Sequence, residues 1–206
     1  MKSNTPLHNG LWEGDLVKVL VGLPVLLFVT LLLAKGYTEA GVRLVIRWSA
    51  RIDVFFFCIV FGADALHLWM RNSLSFWLRM NQYYWGLAFA ILHLVHLVFL
   101  GLLQWSFHPV FERAASISLV AGVGAYVFLI LLFLPPITGA KRMAQSLAWR
   151  RLYELGMHWI WLVFMSSYWK RVLNVDLNYW PLAVLLVFVF GMRAWFGNTS
   201  TGRKAA

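Results

Sequence analysis

Six apolar stretches, each close to the length that crosses a lipid bilayer, constrain the fold of this 206-residue chain more than any other feature. A membrane helix needs about 20 mostly apolar residues. Hydrophobic residues make up 61% of the sequence and charged residues 13%, whereas soluble domains have roughly 45–50% and about 25%. The sequence therefore predicts an all-α integral membrane protein, a six-helix bundle forming one transmembrane domain over residues 1–206. The predicted helices cover about 16–34, 52–70, 83–105, 115–137, 152–169 and 177–193.

Basic residues predict the orientation of this bundle. Eleven Lys and Arg fall in the two tails and the even-numbered loops, and seven fall in the other loops. Because cytoplasmic loops carry the excess of positive charge, both termini are expected in the cytoplasm. The net charge of +10 then reflects loop topology and contact with anionic lipid, and we expect no nucleic-acid partner. Three arginines among apolar residues predict an amphipathic segment over about 38–50, lying on the outer membrane surface.

Two further features refine the predicted helices. The first apolar run is long and lacks a small-residue cleavage site, so we interpret it as a retained anchor rather than a signal peptide. The fourth run contains Pro135-Pro136, and since proline cannot continue a helix we expect that run to end there.

Histidines at membrane depth are the candidate functional residues, because a buried ionisable group needs a partner or a task. His93 lies near the middle of the third predicted helix, and Gly86 and Ala90 precede it on the same face. This bare strip could seat a flat macrocycle whose iron His93 ligates. It could equally seat a neighbouring helix, with His93 hydrogen-bonded across the contact.

Three more histidines lie in the predicted helices. His96, one turn beyond His93, is a possible alternative ligand. His158 follows Glu154 by four residues, so the carboxylate could orient its imidazole. His67 shares a helix face with Asp64, which favours a mutually satisfied pair over a ligand or a proton relay.

Other kinds of site are poorly supported. Cys58 has no partner at metal-ligand spacing, and we find neither a His-Glu-x-x-His motif nor a catalytic constellation. A phosphate-binding glycine loop and a soluble segment for a nucleotide domain are also lacking. We therefore expect no flavin or nicotinamide site in this chain, so a redox role would require a partner protein or a membrane quinol.

Three segments resemble the ferric-reductase-like transmembrane domain family, within which the chain is most similar to the haem-binding membrane subunit of bacterial methionine-sulfoxide reductase systems. Arg79 followed by Gly86 to Leu94 is similar to the third-helix haem segment of that family. Val42 to Ile52 resembles the start of its second helix, and Thr138 to Leu152 its loop before the fifth. The similarity covers roughly residues 38–170.

The resemblance implies one haem b held by His93 and His158, with Gly86 and Ala90 beside it. Its propionates would pair with cytoplasmic cations, or with outer cations; the candidates are Arg79, Lys141 and Arg142 inside, and Arg47 and Arg51 outside. The sequence departs from the family at two ligand positions, where Tyr153 and Ser166 replace histidines. Depth also differs, since His93 lies about 21 Å from Arg79 and His158 about 10 Å from Arg151 along their helices.

Two functions follow from these patterns. The first is a b-type haem protein of the bacterial inner membrane that passes electrons from a quinol or flavoprotein to an acceptor, as the electron-transfer subunit of an oxidoreductase. The second is a haem-free membrane scaffold, or an accessory subunit of another complex, with the same fold. A transporter that uses Asp64 and His67 as a proton relay is less well supported, because the two halves do not repeat a pair of interrupted helices.

Overall fold

The computed structural model describes residues 11–108, 114–138, 146–174 and 177–202, and within these ranges every element is helical. The all-α prediction is therefore confirmed for the described part of the chain. Lys141 and Arg142 lie outside the described residues, as do residues 139–145 of the loop that resembles the family. In chain order the elements are α1 (Leu11–Lys35), α2 (Glu39–Met70), α3 (Ser73–Met80), α4 (Gln82–Phe107), α5 (Ala114–Thr138), α6 (Leu147–Asn174), a 3-10 turn (Leu177–Tyr179) and α7 (Trp180–Gly202).

Local capping residues set the boundaries around α2 and α3. Thr38 Oγ1 accepts a hydrogen bond from the backbone N–H of Gly41, which starts α2. Arg71 ends α2 in the left-handed region at φ 47°. Asn72 and Ser75 then cap α3 reciprocally, each side chain accepting from the other's backbone N–H. Asn and Ser are favourable here because their short side chains reach the unpaired N–H groups of a first helical turn.

Helix α2 corrects the prediction of a separate surface segment over 38–50. The chain is helical without interruption from Glu39 to Met70, about 48 Å at ~1.5 Å per residue. Residues 42–61 contain neither Gly nor Pro, so nothing in the sequence stops the helix there. Val42 and Val45 are fully buried within the protein. The apolar face of the segment therefore packs against protein rather than lying on a membrane surface.

Helix α5 ends at Thr138, two residues beyond the Pro135-Pro136 pair at which we expected the fourth run to stop, and its bounds are within one residue of the predicted 115–137. Helix α1 likewise contains Pro24 in its interior. Neighbouring helices and side chains can satisfy the backbone groups that a proline frees in an apolar helix. The short helix α3 lies in a region for which we predicted only a loop.

Helix α2 is the centre of the packing. It contacts α1, α3, α4 and α7, while α5 packs on α6, and α6 on α7. Helix α4 also contacts α1. The largest fully buried apolar side chains lie on α1, α2, α4 and α7; they are Phe28, Phe57, Phe61, Leu92 and Leu186.

Two helical segments, Gly14–Lys35 and Gln82–Phe107, are long and apolar enough to cross a membrane. The apolar parts of α5 and α7 within the described residues, Val120–Leu132 and Trp180–Phe196, are shorter. Six membrane crossings therefore stay a prediction. Large apolar side chains on several helices point outward, for example Leu33, Trp105, Val120 and Trp195, which is the surface expected of helices that contact lipid.

Candidate functional site

A buried acid and a histidine meet between α2 and α4. Asp53 Oδ2 lies 2.8 Å from His93 Nδ1. The Asp53 side chain is 0% exposed and that of His93 is 12% exposed. Asp53 Oδ1 has no hydrogen-bond partner in the described part of the chain. Since a carboxylate accepts, Nδ1 carries the proton of this bond and the lone pair of the neutral imidazole lies on Nε2.

Aromatic rings surround the His93 imidazole. Tyr126 stacks on it at 4.6 Å between ring centroids, and His96 lies nearly parallel to it at 5.7 Å. Phe89 and Phe164 contact it at 5.4 and 5.7 Å. The Tyr126 hydroxyl donates to the backbone carbonyl of His93. The ring is thus fixed by α2, α4, α5 and α6 together.

His96 has a buried hydroxyl as its partner. Ser49 Oγ lies 2.7 Å from His96 Nδ1 and 3.0 Å from the carbonyl oxygen of Ile46. A hydroxyl has one proton, so a serine that donates to the carbonyl must accept from His96. His96 then carries its proton on Nδ1, as His93 does.

These contacts form an antiparallel ladder between α2 and α4. The facing positions recur at one-turn intervals, as expected where two helices pack along their lengths. Gly86 and Ala90 are buried in the same helix. The pairs are Ser49 with His96, Asp53 with His93, and Phe57 with Phe89. The hydrogen bond of His93 to a neighbouring helix is the contact that the alternative to haem ligation predicts.

His158 occupies a different environment on α6. Its Nδ1 lies 2.7 Å from the carbonyl oxygen of Glu154, and the side chain is 45% exposed. The Glu154 carboxylate lies 3.9 Å from the same Nδ1 and pairs more closely with Arg193 on α7. Arg193 also donates to the carbonyl of Phe61 and lies over its ring. Glu154 therefore stabilises an interhelical ion pair, and the backbone holds the imidazole.

The structure does not bring His93 and His158 into contact. His93 contacts the ring of Phe164 at 5.7 Å between centroids, and His158 contacts that of Phe61 at 5.5 Å. Phe57 contacts both of these phenylalanines at 5.3 Å. A porphyrin ligated by both histidines would have to displace this buried cluster. As packed, these residues do not fit a single haem shared by His93 and His158.

The remaining predicted site residues have local partners. Arg79 Nε lies 2.9 Å from Asp64 Oδ1, and both side chains are exposed. His67 Nδ1 lies 3.2 Å from Ser75 Oγ. Asp64 and His67 therefore do not form the pair that we expected from their spacing. Arg79 joins α3 to α2 through this ion pair.

Asp53 is the important residue that the sequence analysis missed. It lies at the start of the second predicted apolar run, where a carboxylate needs a partner. Its four-residue spacing from Ser49 and from Phe57 puts all three on one helical face. That spacing was a usable signal for a polar contact with the His93 and His96 face.

The described residues contain no group of three or more His, Cys, Asp or Glu side chains that could hold a metal ion. No family model, curated protein or solved structure matches the chain. The ferric-reductase-like resemblance therefore stays a prediction from the residues quoted for it.

Proposed function

We propose that this chain is a haem-free membrane protein of the ferric-reductase-like type that acts as a scaffold or accessory subunit of a larger membrane complex. The observation that carries this proposal is the packing of Phe57, Phe61 and Phe164 between His93 and His158. Interior space that a shared porphyrin would need is filled by buried rings. The proposal rests on the resemblance for the family and on this packing for the missing haem.

The two departures from the family pattern support the same conclusion. Tyr153 packs against the hydrophobic core. Ser166 Oγ donates to the carbonyl of Val163 in its own helix. At both positions where the family has a ligand histidine, this chain therefore has a residue that makes local contacts and lacks an imidazole.

We place the protein in a bacterial inner membrane, with six crossings and cytoplasmic termini. The composition, the two long apolar helices and the outward-facing apolar side chains support a lipid environment. The distribution of Lys and Arg among the loops supports the orientation.

One observation favours the alternative, a b-type haem protein that passes electrons from a quinol or flavoprotein. Metal-ligating histidines commonly donate their second ring N–H to a carboxylate, which fixes the tautomer. Asp53 does this for His93, and Nε2 forms no hydrogen bond with the residues that the structure describes. The packed phenylalanines weigh against this alternative, because His158 cannot reach the same iron without their displacement.

The size of the native assembly tests the accessory role. Extracted from its own membrane in a mild detergent, the protein should migrate in a complex larger than a single chain. His158→Ala should leave that complex intact, because among the described residues the exposed imidazole contacts only its own helix and the edges of two rings. Migration as a free monomer, with a b-type absorption band that His158→Ala abolishes, would contradict the proposal.

A further inference from the structure

An elongated apolar groove runs along one face of α2, between α3 and α7. Its volume is about 470 Å³. The residues of α2 that line it include positions i, i+4, i+7 and i+11 from Phe55 to Leu66, which share one helical face. Leu78 of α3 and Phe188 of α7 also line it. No side chain of the lining is charged or carries an oxygen or nitrogen atom.

The groove extends through the depth of one membrane leaflet. From Phe55 to Leu66 it is about 17 Å long at ~1.5 Å per residue, and the hydrocarbon of one leaflet is about 15 Å thick. The bond between Asp53 and His93 puts Asp53 level with the middle of α4, which is long and apolar enough to cross a membrane. Phe55 therefore lies near the bilayer midplane, and Leu66 lies about 20 Å from Asp53, at the predicted cytoplasmic interface.

A tryptophan lies at the interfacial end of the groove. Trp69 follows Leu66 by one turn of α2, and its ring contacts that of Phe188 at 5.9 Å between centroids. Trp69 is 54% exposed. Tryptophan suits this boundary because its ring is apolar while its indole N–H can donate to an ester or phosphate oxygen. The groove thus combines an apolar length with a hydrogen-bond donor at the depth where lipid headgroups begin.

The size of the groove favours a hydrocarbon chain over a protein segment. Its volume over that length corresponds to a cross-section of about 28 Å², whereas a helix with its side chains is about 10 Å wide and needs about 80 Å². A protein interface engages about 20–30 residues on each side, and eleven residues line the groove. The segments outside the described residues on the predicted cytoplasmic side, 1–10, 139–145 and 203–206, each contain Lys or Arg. Charged residues are costly in an apolar site at membrane depth.

We propose that this groove binds one acyl chain of a phospholipid from the cytoplasmic leaflet, with the glycerol ester beside Trp69. Burial of methylene groups against apolar side chains supplies the binding free energy, so the site selects chain length rather than headgroup charge. The inference rests on the proposed membrane location, and it is independent of the accessory role and of haem.

Native mass spectrometry of the purified, delipidated full chain in detergent tests the site. Dioleoyl phosphatidylglycerol, dioleoyl phosphatidylcholine and dihexanoyl phosphatidylglycerol are added in separate series. Saturable binding of one lipid per chain is expected, with similar affinity for the two dioleoyl lipids. The dihexanoyl lipid should bind much more weakly, because only a long chain fills the groove.

A matched pair of variants locates the binding. Ile59→Trp adds a large ring at a lining position and should weaken binding of the dioleoyl lipids about tenfold, the effect of excluding one or two methylene groups from an apolar site. Ile130→Trp makes the same change at an exposed position on α5 and should leave the affinity unchanged. If Ile59→Trp does not fold, Leu66→Trp fills the interfacial end of the groove instead.

Equal affinities of the wild type and the groove variant for dioleoyl lipids would overturn the proposal, and so would equal affinities for the dioleoyl and dihexanoyl lipids. A bound quinone or a dimer that is lost in Ile59→Trp would also overturn it, because the groove would then have a different occupant. A chain that stays in solution without detergent would contradict the membrane location itself.

Discussion

Asp53 on α2 and His93 on α4 form a 2.8 Å hydrogen bond in which the carboxylate is completely buried. Its second oxygen has no partner in the described part of the chain, so His93 provides the only recorded compensation for a buried acid. Desolvating a carboxylate is expensive unless it is paired. Removing His93 would therefore leave the Asp53 carboxylate buried without a partner among the described residues.

A mutant cycle tests this pairing. His93→Ala leaves Asp53 buried and unpaired, so we expect a loss of about 3–5 kcal/mol in the free energy of unfolding. The double variant Asp53→Ala/His93→Ala removes the orphaned acid and should be no less stable than His93→Ala. Denaturant unfolding of detergent-solubilised Asp53→Ala, His93→Ala and the double variant gives the three differences in the free energy of unfolding that the cycle needs. Additive losses would show that the two side chains act independently.

Ser49 should contribute to stability through His96. Ser49→Ala removes the acceptor of the buried imidazole N–H, with an expected loss of about 1–3 kcal/mol. Ser166→Ala is the matched control, since that exposed hydroxyl bonds only a carbonyl of its own helix, and it should be nearly neutral. The thermal unfolding midpoints of the two variants test this prediction. Equal shifts of the midpoint would mean that the contact between Ser49 and His96 does not contribute to stability.

Gly62 allows α2 to approach α7 closely. A Cβ at this position would lie 2.7 Å from Val189 Cγ1, and a valine side chain has little freedom to move away. Gly62→Ala is therefore expected to destabilise the protein by about 1–3 kcal/mol.

Two further variants control the Gly62 experiment. Adding Val189→Ala should restore much of the loss, because it removes the clashing methyl groups. Gly101→Ala, where a Cβ meets nothing within 4 Å, should stabilise the protein by about 0.5–1 kcal/mol. Thermal unfolding measures all three, and a harmless Gly62→Ala would refute the close contact.

Phe57 lies at the centre of the aromatic cluster between the two predicted ligands. Phe57→Ala should cost about 3–5 kcal/mol, because the cavity is surrounded by rings that cannot all move in. Phe55→Ala on the same helix is the matched control: its side chain is 50% exposed, so the change should be within about 0.5 kcal/mol. Equal losses in the free energy of unfolding for the two variants would show that the rings around Phe57 are not closely packed.

The length of the apolar runs located most of the helices because each run is long and bounded by charged residues. The third predicted helix, 83–105, differs from α4 by only one or two residues at each end. Periodicity did not show that 38–50 continues into the second helix. Arginines separated by apolar residues suit a membrane surface and a helix packed against protein equally well, and only the partner helices decide between them.

The candidate site was predictable only in part. His93 stood out because an imidazole inside an apolar helix needs a partner. Which residue becomes that partner depends on the register of α2 against α4, because Asp53 lies 40 residues earlier in the chain. Glu154 shows the same limit: its spacing suggested His158, which lies 3.9 Å away, but its closer partner is Arg193 on another helix. Spacing shows which side chains share a helix face but not which partner each takes: Asp64 pairs with Arg79 on α3 rather than with His67.

The haem-to-protein ratio of the purified chain tests the central claim most directly. Protein expressed in haem-replete cells and shown to be folded should contain no stoichiometric haem, because buried phenylalanines occupy the space between His93 and His158. The reduced-minus-oxidised spectrum of that preparation should accordingly lack a b-type band. One haem per chain, lost in His93→Ala and in His158→Ala, would contradict the account.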